Sequence, residues 1–309
     1  MEENKDFKIN NENKQKYSKV YSNNNKKKKY IPLWYRFWIS IADIDKYYYI
    51  ATEGLRRSIL YIVILVILAS LIVTGAFVNE SKKVFKGSAD FIANNISDFT
   101  ISKDGLKLEN DKKPIETKLN RAREFKIIIN DESSEDENNS AIEKNNGEII
   151  IFGKNAIYLK VNDIEKTFTY DEVMNFLELE KISKSDIIGL ASNEQETNRM
   201  FNAMLFSLSI YFILQNIVIV VAYIIAIALV GVIMATLLGM KFKFSAIISM
   251  SISAITLPVV LAIIYAICFI YTGFIMKYFT VMFSAISYVY IIMALIDIFH
   301  NLVKISGEQ

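Results

Sequence analysis

One histidine, one cysteine and three prolines among 309 residues remove most familiar chemistries before any motif is sought. With His300 alone, no HExxH pair, no His-rich metal set and no Ser-His-Asp arrangement can be built. The 11 glycines form no GxSxG and no phosphate-cradling loop. Cys268 lies inside an apolar run, so the charged middle of the chain has no disulfide and must fold on its core alone, which disfavours a eukaryotic secretory protein. The acidic run Asp131, Glu132, Glu135, Asp136 and Glu137 fails the EF-hand test, because Asp136 stands where glycine is needed and Ile142 where glutamate is needed. It reads as a solvated loop. These gaps lead to an expectation of no enzyme, no catalytic residue, no cofactor and no metal site.

Charge is missing in a more telling way. Runs of 22, 41, 33 and 19 residues, between Arg57 and Glu80, Arg199 and Lys241, Lys243 and Lys277, and Lys277 and Asp297, hold no Asp, Glu, Lys or Arg. About 20 apolar residues cross the hydrocarbon core of a bilayer, and a charge there costs a few kcal/mol. The fold class expected is an α-helical polytopic membrane protein with four transmembrane helices, at 58–78, 204–240, 244–272 and 278–298, and an inserted extracytoplasmic α+β domain at 79–203. Residues 1–58 carry 13 Lys/Arg against 7 Asp/Glu, and residues 79–203 carry 18 against 24. The positive-inside rule then places both termini in the cytoplasm, with the tail 299–309 inside. The run at 200–240 is long for one crossing, since 41 helical residues reach about 62 Å. One long helix fits the basic flanks better than two crossings.

Residues 1–30 are Asn-, Lys- and Glu-rich and read as a disordered basic cytoplasmic tail. Its end, Lys26, Lys27, Lys28 and Lys29, either enforces orientation or meets anionic lipid. Residues 31–57 hold both tryptophans, Trp34 and Trp38, and are expected to form an interfacial amphipathic aromatic helix with Pro32 near its start. Within the spans, Gln215, Asn216, Ser249, Ser253 and Thr256 are the polar groups that need partners in lipid. They serve either as glue between helices or as the lining of a polar path between helices 2 and 3. Gly231, Ala235 and Gly239 recur every four residues, a spacing for close helix packing, and Pro258 is expected to kink the third span. Asp297 and His300, three apart, read as the polar end of the fourth.

The middle segment shows Asp104-Gly105 between alternating apolar residues, a hairpin signal, then a strand at Phe125–Ile129. A second hairpin pairs Glu148–Phe152 with Ala156–Val161, a short strand covers Thr167–Thr169, and Thr169 with Glu172 has the capping-box spacing for a helix over Tyr170–Glu180. The succession "DFTISKDGLKLE", "FKIIIND", "GEIIIFGKNAIYLK" and "TYDEV", after an aromatic-basic lead and one span and before three more, resembles the bacterial membrane family called domain of unknown function 1189. In "IIIND", Asn130 stands where that family has aspartate, so Asp131 would have to take any role of that group. The resemblance implies the plasma membrane of a Gram-positive-type bacterium and no established activity, although some relatives are labelled maltodextrin-utilisation proteins. The expected function is a non-enzymatic accessory, sensing or scaffolding component whose extracytoplasmic domain binds a ligand or partner. The alternative is a component of a transport system, carbohydrate-related on that label. Expected partners are membrane lipid and another membrane protein or transport system, with no nucleic acid.

Overall fold

Pro32, whose ring fixes φ, caps the first helix in the computed structural model of the chain, which describes residues 31–109, 115–120, 124–145, 147–161 and 164–307. Lys26, Lys27, Lys28 and Lys29 lie outside the described residues. Helix α1 (Leu33–Ala42) ends at Asp43, a 3-10 turn (Ile44–Lys46) follows, and α2 is Tyr47–Thr52. The aromatic lead is therefore two helices joined by a tight turn that the Lys46–Asp43 pair closes, not one continuous interfacial helix.

Helix α3 (Leu55–Asn95) carries the first apolar run straight into the charged stretch beyond it, 41 residues or about 62 Å. Nothing stops it, since it holds no proline, and a Cβ added at Gly75 or Gly87 would meet nothing within 4 Å. Strands β1 (Phe99–Ser102) and β2 (Gly105–Leu108) then form a hairpin. Its turn residues are Lys103 and Asp104, one position earlier than the Asp-Gly reading, and Gly105 opens β2 at φ +125. Strands β3 (Ile115–Asn120) and β4 (Glu124–Ile129) pair antiparallel. Helix α4 (Glu135–Lys144) replaces most of the expected acidic loop, with Ser134 and Glu137 making a complete capping box.

Strands β5 (Glu148–Phe152), β6 (Ala156–Val161) and β7 (Ile164–Thr169) complete a five-stranded sheet, order β3-β4-β5-β6-β7, in which only β4 and β5 run parallel. The crossover between those two is α4. Helix α5 (Tyr170–Leu177) opens on the Thr169–Glu172 capping box and stops at Glu178, φ 56. Strand β8 (Lys181–Ser183) joins β1 in a second sheet, order β2-β1-β8, and α6 (Lys184–Ser192) follows.

Helix α7 (Glu194–Leu237) is unbroken over 44 residues, about 66 Å, so the 41-residue charge-free run contains no turn before its last residues. It ends in a Schellman motif: Gly239, at φ +67, donates to the Thr236 carbonyl and Met240 to that of Ala235. The third apolar segment is divided at Ile255 into α8 (Phe244–Ala254) and α9 (Thr256–Thr272). Pro258 supplies the reason, having no N–H for the carbonyl four residues back. Helix α10 (Phe279–Gly307) carries Asp297 and His300 in its interior, so these residues do not end it. Four helical segments, Leu55–Asn95, Glu194–Leu237, Phe244–Thr272 and Phe279–Asn301, are long and apolar enough to cross a membrane, and a mixed α/β region separates the first two in sequence.

The chain divides into two compact units. Among the described residues, one comprises those up to Ile62, Tyr223–Leu257 and those from Ala285 on, the other those between Val63 and Ala222 and Pro258–Ser284. In the first, α1 and α2 lie on α8, the Tyr290 hydroxyl donates to the Ile41 carbonyl at 2.8 Å, and a Cβ at Gly231 would stand 2.9 Å from Ile247 and 3.2 Å from Ile291. In the second, the isoleucine-rich β4 and β5 are covered on both faces, which is why they read as continuous apolar runs. Ile128, Ile149 and Ile151 meet Ile142 of α4 on one side, while Ile129 joins Ile96, Phe99, Leu106 and Tyr170 on the other. Helices α3 and α7 are tied there by Asn216 donating to Ser70 Oγ at 3.0 Å, by the Lys82–Asn198 contact and by the ring pair Phe85–Phe201.

Candidate functional site

Arg36, the one charge between Tyr30 and Ala42, is 1% exposed. Helix periodicity sends Trp34 and Trp38, 77% and 58% exposed, to the outer side of α1 and turns Arg36 with Ile39 and Ser40 inward. Its Nη1 donates to Glu53 Oε2 at 2.6 Å. Its Nε and Nη2 donate to Ser253 Oγ at 3.3 and 3.1 Å, and Nη2 also reaches the Ser249 carbonyl at 3.1 Å. The guanidinium carbon stands 5.1 Å from the centre of the Tyr61 ring, and the Tyr61 hydroxyl bonds Thr256 Oγ1 at 3.0 Å. Burial draws the Arg36 pKa below the ordinary guanidinium range, and the Glu53 carboxylate opposes that pull. Arg57, 3.4 Å from the second Glu53 oxygen, adds another cation to the same carboxylate.

Ser249, Ser253 and Thr256 are thus gathered in one place: Arg36 of α1 holds the first two, and Tyr61 of α3 bonds Thr256, a hydrogen bond between two apolar helices. Gly231 and Ala235 are buried, and Gly231 makes the close approach to α8 and α10 through Ile247 and Ile291. Gly239 makes no such contact: it is exposed and serves as the helix stop. Pro258 lies buried at the start of α9. Asn216 bonds Ser70 on α3, whereas Gln215 is exposed. Asp131, which follows β4 and Asn130, accepts from the Leu108 N–H at 2.9 Å and so links the β1–β2 hairpin to the end of β4. Of the five acidic residues, Glu135, Asp136 and Glu137 form the first turn of α4, where negative charge favours the helix N-terminus.

The second feature is a cavity of about 690 Å³, within the range of roughly 300–1,000 Å³ for small-molecule sites. The half of each strand's alternation that α4 does not cover faces it: Ile127 of β4 and Ile150 of β5. Helix α3 adds Phe91 and Ile92, the hairpin Phe99 and Leu106, and α6 Ile187. Phe269 and Tyr271, at the end of α9, complete the wall near Glu80. Beneath it Tyr170 is fully buried and donates to the Gly153 carbonyl at 2.9 Å, and burial pushes its hydroxyl pKa far up. Apart from Glu80, Ser88 and Glu148, the lining offers an occupant apolar contact.

Arg36, its partner Glu53 and the cavity escaped the sequence reading. A lone arginine inside an aromatic helix was the available signal for the first, while the cavity is assembled from segments up to 193 residues apart, from Glu80 to Gly273. Over residues 34–295 the chain matches the family described as "Protein of unknown function (DUF1189)". No curated protein and no solved structure matches it.

Proposed function

This chain belongs to the DUF1189 family of proteins of unknown function, and from that premise we propose that it is a non-enzymatic protein of a bacterial plasma membrane whose α/β region lies outside the cell and binds a ligand or partner. The observation that carries this is the shared wall of the cavity: α3 and α9, which contribute to two of the four apolar segments, also supply Ile92 and Phe269 to the chamber that the strands enclose. An occupant there touches sheet and apolar helix at once, which suits an accessory or sensing component of another membrane system. Basic flanks before α3 and at Lys241 and Lys243 support cytoplasmic termini. The transport reading needs Ser249 and Ser253 on a path, and both are bonded to Arg36, so it is not taken further.

Single cysteines at Glu143, Lys241 and Ser306 in a Cys268→Ser background test the arrangement in intact cells. Glu143 is exposed on α4. Labelling at that position alone is expected, and labelling at Lys241 or Ser306 by a membrane-impermeant reagent refutes it. Filling the cavity with Ile150→Trp is expected to alter hydrogen exchange in both Phe85–Asn95 and Tyr265–Thr272. Unchanged exchange in those helices would remove the sensing role.

A further inference from the structure

We infer that the cavity holds one alkyl chain of an anionic membrane lipid, whose head group stays at the Glu80–Tyr271 end. This rests on the proposed placement of the α/β region at the outer membrane surface. Four observations lead there. Apart from Glu80, Ser88 and Glu148 the wall is aliphatic and aromatic, so water inside finds few partners, whereas each buried methylene of a ligand raises affinity about fourfold. The Glu80 and Tyr271 part of the wall lies at the ends of two apolar stretches, because Glu80 is the first charge after the 22-residue run and Thr272 is the last residue of α9.

Cations collect at that level. Lys82, Lys83 and Lys86 outnumber Glu80 on the same two turns of α3: Glu80 pairs with Lys83 at 3.6 Å and Lys82 meets Asn198, which leaves a net positive charge there, and Lys83 Nζ lies 5.7 Å from the centre of the Tyr271 ring. They offer a phosphate ester charge and donors, while the chain it carries passes inward along Val84, Ser88 and Ile92. Finally, the strands that line the cavity have no free edge to give a peptide. Strands β1, β4 and β5 are paired on both sides. On β2, the Leu106 N–H donates to the Lys154 carbonyl and the Leu108 N–H to Asp131, each at 2.9 Å. A peptide bound by strand addition would find those donors taken.

The test uses the full chain in vesicles of phosphatidylglycerol containing a phosphatidylglycerol with a diazirine at mid-chain. After irradiation, adducts mapped by mass spectrometry are expected on the Ile92, Ile127 or Ile150 peptides. Ile150→Trp should abolish them and Ile150→Val should keep them, with labelling of the exposed α7 residues Val218 and Leu229 unchanged as the internal control. Ile187→Trp, on the surface helix α6, fills the same space should the strand variant misfold. Labelling confined to the outer faces of the apolar helices overturns the inference, and equal cavity labelling by a phosphatidylcholine probe overturns the anionic head group. An unlabelled cavity with Glu143→Cys accessible outside sinks the lipid alone, whereas an inaccessible Glu143→Cys sinks the placement as well.

Discussion

Replacing Arg36 by methionine preserves much of its length and removes its charge. Four hydrogen bonds go with it: the 2.6 Å bond to Glu53, two to Ser253 and one to the Ser249 carbonyl. Glu53, 8% exposed, is left with Arg57 at 3.4 Å as its nearest charged partner. Breaking a buried ion pair by removing one member costs about 3–5 kcal/mol, or two to four orders of magnitude in the unfolding equilibrium. Glu53→Gln should cost a similar amount, because it strands a buried guanidinium. The double variant removes both charges together, so its loss should fall short of the sum by at least about 2 kcal/mol. Denaturation of the purified protein in mixed detergent micelles, followed by tryptophan emission, reads all three; both tryptophans lie on α1, two residues either side of Arg36. If Arg36→Met is within about 1 kcal/mol of the parent, or if the two single losses simply add, the ion pair does not tie α1 to the junction of α2 and α3 and the reasoning fails.

Three more outcomes follow from local geometry. Gly231→Ala should destabilise by about 1–3 kcal/mol, since its Cβ would stand 2.9 Å from Ile247, whereas Gly75→Ala, with nothing within 4 Å, should be neutral or gain up to about 1 kcal/mol in the same denaturation assay. Gly105→Ala combines φ +125 with a Cβ 2.3 Å from the Lys154 carbonyl, so loss of about 3 kcal/mol or more and early hydrogen exchange across β1 and β2 are expected; exchange as slow as the parent's would refute the strain. The Asp186 carboxyl is held below the usual range by hydrogen bonds from Ser183, so the stabilisation it gives α6 is present above the unfolded pKa near 4 and is lost as pH falls through the lower folded value. Asp186→Asn should flatten the pH dependence of α6 protection between about pH 5 and 2, and a slope unchanged by the substitution would exclude this residue as its source.

Which elements were readable follows from how local their causes are. Thr169 and Glu172 announced α5 because both halves of the box lie within four residues. Ser134 and Glu137 carry the same signal for α4, but they sit in a stretch so acidic and Asn-rich that solvation outweighed it. The hairpin slipped by one position because Asp-Gly marks the turn without saying whether glycine lies in it or just after it; here Gly105 is needed where the chain crosses close to Lys154. Helices α3 and α7 were cut at the edge of their charge-free runs, yet a change of polarity does not end a helix that contains no stop residue. The serine spacing on α8 was legible and its partner was not, since sequence period describes a face and says nothing of what covers it.

That partner imposes a schedule. Arg36 and Ser253 are 217 residues apart, and at about 5–20 residues per second the acceptor is synthesised roughly 10–40 s after the donor. Throughout that interval the guanidinium lacks its Ser249 and Ser253 acceptors, and the cost of burying an unsatisfied charge keeps it hydrated. Only when the third apolar segment arrives does it exchange water for hydroxyl and carbonyl oxygens. The bond that fastens the beginning of the chain to its third apolar segment can therefore close only late in synthesis.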